Sequence, residues 1–153
     1  MTFCIDIEVS DPRWRKARGL STRLKAAAEL ALRRGKARRG GLTVLLGDAA
    51  RLRALNRDFR GKDKPTNVLS FPAPANPDAY LGDIALAYDV TDAEARAAGK
   101  RFADHATHLA VHGVLHLIGF DHVTDAQARR MEPLETRILA ELGIADPYRS
   151  EAA

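Results

Sequence analysis

Cysteine occurs once in the 153-residue sequence, at Cys4, so the chain can form no internal disulfide and a reducing, cytoplasmic setting is expected. Aromatic residues are few, at 6%, and they do not interleave with basic residues as in surfaces that stack nucleobases. No apolar run approaches the roughly 18 residues of a membrane span, so no membrane contact is expected. The opening MTFCIDIEVS does not read as a secretory signal, because Asp6 and Glu8 interrupt its apolar residues. No internal repeat is visible. What is present is the composition of an ordinary soluble globule, 46% hydrophobic and 29% charged. Its length suits a single domain, residues 1–153, that buries roughly two-thirds of its unfolded surface.

Net charge is +4, but the distribution says more than the sum. Residues 1–64 hold 17 Lys and Arg against 7 Asp and Glu, whereas residues 65–153 hold 7 against 13. The basic half includes Arg33, Arg34, Lys36, Arg38 and Arg39, then Arg57, Arg60, Lys62 and Lys64. Such asymmetry suits a polyanionic partner, because each phosphate neutralised releases counterions. Charge alone leaves a solvated basic face as an equal alternative.

Residues 2–9 place Phe3, Ile5, Ile7 and Val9 on one face and Thr2, Cys4, Asp6 and Glu8 on the other, which predicts a half-buried strand. Asp11-Pro12 supplies a helix start, and a helix interrupted or restarted near Gly19 runs to about Arg34. A Gly40-Gly41 turn leads into a short buried strand, Leu42 to Leu46. Asp48 caps a helix whose apolar stripe is Leu52, Leu55 and Phe59. A loop from Arg60 to Thr66 precedes a strand at Val68–Phe71, PAPANPDA forms a surface loop, and Leu81 to Tyr88 is a further strand. Helices follow at about 91–98, 103–118 and 125–142. The predicted fold class is α+β, a small mixed sheet of about four strands covered by about five helices.

The run HGVLHLIGFDH carries the chemistry. His112, His116 and His122 follow the spacing H-x3-H-x5-H. On a helix, His112 and His116 project from one face about 6 Å apart along the axis, so both rings can reach one ion at about 2.0–2.1 Å. Gly119 stands where the helix can stop in a left-handed conformation and return His122 toward the pair. Three imidazoles with an open fourth position describe a catalytic zinc site better than a structural one. His108 extends the series, but His108 to His116 spans about 12 Å, too far to share an ion, so His108 reads as a core or supporting residue. His105 reads as an exposed helix residue.

The spacing also fits the metzincin protease frame H-E-x-x-H-x-x-G-x-x-H at every position but one. Gly113 stands where those proteases carry the glutamate that acts as general base. The ligand frame is metzincin-like, and the peptidase chemistry is missing.

HGVLHLIGFDH, the segment RGKDKPTNVLSFP at 60–72, LGDIALA at 81–87 and the tail MEPLETRILAELGIADPY resemble the YbeY family of bacterial endoribonucleases, in collinear order from about residue 42 to 149. Residues 1–41 match in pattern only. The resemblance implies a single-domain, metal-dependent RNase acting on single-stranded RNA, which matures the 3′ end of small-subunit rRNA and serves ribosome quality control. It implies one zinc ion on His112, His116 and His122, the small ribosomal subunit as partner, no DNA partner, and Arg60 as the functional arginine.

Arginine suits phosphoryl chemistry because its planar, permanently charged fork binds two phosphate oxygens. Lys62 and Lys64 are placed to hold neighbouring phosphates. Without the resemblance, Arg60 reads as a cation ending a helix. Asp83 and Asp121 are candidates for serving the site, each with a plain turn role as the alternative. The nucleophile is left open between water and the RNA's own 2′-hydroxyl. A metallohydrolase of another class, nearest to a peptidase, and a non-enzymatic ribosome assembly factor with structural zinc are the alternatives.

Overall fold

The computed structural model describes residues 3–120 and 124–148. Strand β1 (Phe3–Val9) keeps its alternation, with Ile5 buried between exposed Cys4 and Asp6. Asp11 then starts only a short 3-10 turn, Pro12–Lys16, accepting from the Arg13 amide at 3.0 Å. Trp14 in that turn is buried, and its indole N–H donates to the Gly47 carbonyl at 2.8 Å. Helix α1 (Leu20–Arg34) begins afresh after left-handed Gly19.

Strand β2 (Gly40–Gly47) starts earlier than the sequence predicts. Gly40 and Gly41 pair with Phe3 and Cys4 of β1, so the ladder takes up the expected turn. Helix α2 (Ala49–Arg60) is capped by the Asp48 carboxylate, which accepts from the Arg51 amide at 2.8 Å. Strands β3 (Val68–Pro72) and β4 (Tyr80–Ala87) flank the proline-rich loop. Helix α3 (Tyr88–Ala97) begins directly at the strand end, where the Tyr88 ring packs edge-on against Trp14. Helices α4 (Phe102–Leu117) and α5 (Asp125–Glu141) complete, among the described residues, five α-helices on a four-stranded sheet.

The sheet runs β1-β2-β4-β3, with β1, β2 and β4 parallel and β3 antiparallel at the edge. Its inner face presents Leu42, Val44, Leu46, Ile84 and Leu86 to the apolar sides of α1 and α4. On the outer face Leu69, Ala85 and Ala87 meet Leu52 of α2 in a much smaller cluster. That cluster does not take in the whole predicted stripe: Phe59 is 69% exposed, its ring leaning on Phe71. Among the described residues no helix is long and apolar enough to cross a membrane.

One contact sets how closely α4 lies on the sheet. A Cβ at Gly113 would sit 2.9 Å from Ile84 Cγ2 and 3.3 Å from both Ser70 Oγ and Val68 Cγ2. The Ser70 hydroxyl donates to the Gly113 carbonyl at 3.0 Å. Gly113 therefore seats the helix against β3 and β4.

Candidate metal centre

His105, His108, His112 and His116 recur every three or four residues along α4, so they form one stripe. The last two come together at their tips, His116 Nε2 lying 3.0 Å from His112 Nε2. Two imidazole nitrogens on one tetrahedral zinc stand roughly 3.3 Å apart, given bonds of about 2.0–2.1 Å. The donor set fits a metal ion. Beyond Leu117 the backbone turns through Gly119 at φ 101°, whose amide closes on the His116 carbonyl at 3.1 Å while the Phe120 amide reaches Leu115 at 3.0 Å. His122 and Asp121 lie outside the described residues.

Behind the pair stands a residue that sequence reasoning missed. Glu135 of α5 is 0% exposed. Its Oε1 lies 2.7 Å from His112 Nδ1, and its Oε2 is 3.1 Å from His108 Nε2 and accepts from the Tyr148 hydroxyl at 2.7 Å. Burial pushes this carboxyl up, but donation from His108, His112 and Tyr148 outweighs it and holds the group at about 2. Burial, and then the Glu135 charge, push the Tyr148 phenol up, so it stays protonated and donating. His108, His112 and Glu135 each place a ligating atom within 4.8 Å of the others, a cluster able to hold a metal ion.

A sequence signal for Glu135 exists. Met131, Glu135, Ile138 and Leu139 share the buried face of α5, so Glu135 is a carboxylate on an apolar helical stripe. A charge in that position is stable only when paired.

His105 departs from its predicted exposure. Its side chain is 12% exposed, and Nε2 meets Glu94 Oε1 at 2.9 Å. Asn67 donates to the same carboxylate at 3.0 Å, tying α3, α4 and the start of β3 together. The expected exposed face is closed because α3 packs beside α4. Asn67, Glu94, His105, His108, His112 and Tyr148 line a cleft of about 640 Å³ along the stripe.

Arg60 ends α2, and left-handed Gly61 turns the chain into the loop bearing Lys62 and Lys64. Asn56 holds this loop, its backbone carbonyl accepting from the Lys62 amide at 3.2 Å and its side-chain amide donating to the Lys64 carbonyl at 3.1 Å. All three cations are exposed, and among the described residues none forms an ion pair or bonds to the histidines. The loop runs on to Asn67 at the wall of the cleft. Asp83 is not part of the stripe. It accepts from the Tyr80 hydroxyl on the outer sheet face, alternating with the inward Ile84.

The family model described as Endoribonuclease YbeY matches residues 8–143. The chain belongs to the YbeY family. A YbeY endoribonuclease of Chelativorans sp. (strain BNC1) is 49% identical over 95% of this chain and 93% of its own length. Another, of Ruegeria pomeroyi, is 45% identical over 96% of this chain and 99% of its own. The solution structure of TM1509 from Thermotoga maritima superposes with a TM-score of 0.59 at 25% identity, covering 95% of this chain and 99% of that one. The YbeY match spans the α2 end and the entire histidine run, so both regions belong to the family's framework.

Proposed function

We propose that this YbeY-family endoribonuclease, a hydrolase of phosphodiester bonds, cuts single-stranded RNA with one zinc ion held by His112, His116 and His122. Its substrate is rRNA on the small ribosomal subunit, whose 3′ end it matures and whose quality it helps control, in the cytoplasm and as a single domain over residues 1–153. The observation that carries the metal assignment is the approach of His112 Nε2 and His116 Nε2 to 3.0 Å. Two lone pairs aimed at one point repel each other unless a proton or a cation lies between them.

When bound, zinc supplies Lewis-acid polarisation of a phosphoryl oxygen and lowers the pKa of water toward about 7. Arg60 binds two oxygens of the scissile phosphate through its planar fork, and Lys62 and Lys64 hold the phosphates alongside. The loop clamp made by Asn56 fixes their spacing. The cleft beside His112 admits the strand. A peptidase reading finds no support, since the protease base would stand at residue 113, where even a Cβ meets Ile84 at 2.9 Å. A substrate with one 2′-deoxy sugar at the scissile position shows whether the RNA's own 2′-hydroxyl or water is the nucleophile.

Elemental analysis of the purified chain, run beside cleavage of a single-stranded rRNA fragment, tests the proposal. One zinc per chain is expected, with cleavage lost to a chelator and restored by zinc. A metal-free chain that still cuts RNA would defeat it.

A further inference from the structure

Glu135 stands beside the proposed ligands with both oxygens occupied. Oε1 is 2.7 Å from His112 Nδ1, and Oε2 is 3.1 Å from His108 Nε2 and 2.7 Å from the Tyr148 hydroxyl. An ionised carboxylate has no proton to give, so the proton in each of these contacts comes from the partner. His112 then carries a proton on Nδ1, which leaves Nε2, the atom 3.0 Å from His116 Nε2, as its nitrogen available to an ion. His108 carries its proton on Nε2. Its Nδ1 is a buried atom with no hydrogen-bond partner among the described residues. The His108 nitrogen nearest the cluster is thus the one that cannot coordinate without giving up Glu135.

We propose that Glu135 is the positioning residue of the metal site: it accepts a hydrogen bond from the Nδ1–H of His112 and so presents Nε2 to the ion, while His108 and Tyr148 saturate its other oxygen and keep the carboxylate from ligating. The alternative assignment of the same three residues makes His108, His112 and Glu135 direct ligands, since their atoms lie within 4.8 Å of one another. That arrangement requires breaking hydrogen bonds to a fully buried carboxylate, each of them charge-assisted. Helix α5 supplies Glu135 from its core face, between Met131 and Ile138, so the group is held by packing as well as by its donors. Partners of this kind fix ring orientation, and their loss typically weakens metal binding about 10–100-fold.

The inference rests on the metal reading above, and the test keeps the two apart. On the intact chain loaded with Zn²⁺, ¹⁵N imidazole spectra report which His112 nitrogen bears the proton. Chelator competition gives Zn²⁺ affinity for wild type, Glu135→Gln, His108→Gln and His116→Ala. The expected result is a protonated Nδ1 on His112, Glu135→Gln weaker by about 10–100-fold at unchanged stoichiometry, and His108→Gln weakened less than Glu135→Gln. Zinc on His112 Nδ1, an unchanged Glu135→Gln affinity, or a His108→Gln chain that loses zinc as completely as His116→Ala would each overturn it. The tautomer measurement uses no substitution, so it decides the matter should Glu135→Gln not fold. A wild-type chain that takes up no zinc overturns the metal reading and this inference together.

Discussion

Along α4 and α5 the polar side chains are tied to one another: His105 to Glu94, His108 and His112 to Glu135, and Glu135 also to Tyr148. At the end of α2, by contrast, Arg60, Lys62 and Lys64 extend into solvent, and among the described residues none forms an ion pair. The two regions face different physical demands. An ion bound at about 2 Å needs lone pairs fixed in direction, and only buried, saturated hydrogen bonds supply that. A phosphate is gripped by a charge whose pull extends over roughly a Debye length of 8–10 Å, so long exposed side chains serve. Loss of a proposed ligand in the first region should therefore remove the ion outright, whereas damage to the second should be graded and dependent on salt.

His116→Ala gives the largest effect, because it removes one of the two converging nitrogens. Both bound metal, by elemental analysis, and RNA cleavage should fall to background. Arg60→Glu separates the regions. Metal stays at the wild-type amount, while cleavage drops by roughly 10²-fold or more, the usual consequence of losing one transition-state donor. Normal cleavage by Arg60→Glu would remove the arginine from the chemistry. Gly113→Ala acts on the seating of the histidine helix, since its methyl would meet Ile84 Cγ2 at 2.9 Å. Overpacking of this kind costs about 1–3 kcal/mol, read from the urea midpoint.

The spacing of His112 and His116 was enough to place their rings together, since a helix turns a four-residue interval into one face whatever it packs on. Strand β1, the α1 restart and the α2 cap were equally local: alternation, Gly19, Asp48. What escaped depends on chain segments far apart in sequence. Glu135 meets His112 across 23 residues, and Glu94 meets His105 across 11, so neither partner is implied by its own neighbourhood. Gly113 read as a missing catalytic base, but the structure gives it a packing role against Ile84 of β4. Gly40 and Gly41 read as a turn until the β1 ladder drew them into a strand.

Smaller effects test the graded half of the contrast. For single-stranded nucleic acid, the slope of log binding constant against log salt changes by about 0.7 for each phosphate contact. Lys62→Ala and Lys64→Ala should each make that slope shallower by about this amount, with metal content unmoved. The subtlest change is Asp63→Asn. Asp63 pairs with Arg53 at 2.7 Å, both side chains about half exposed, and the hydrogen bond from Arg53 holds the Asp63 carboxyl below its usual range. Mild acid therefore does not break the pair, because the carboxylate stays ionised until the pH falls through that lowered value, and substitution is the better tool. Removing the charge frees Arg53 on the same exposed stretch as Arg60. If Arg53 then reaches a phosphate, the salt slope steepens by up to about 0.7, opposite in sign to the lysine variants. An unchanged slope confines the phosphate grip to Arg60, Lys62 and Lys64, and makes the Arg53–Asp63 pair a surface contact that shields nothing.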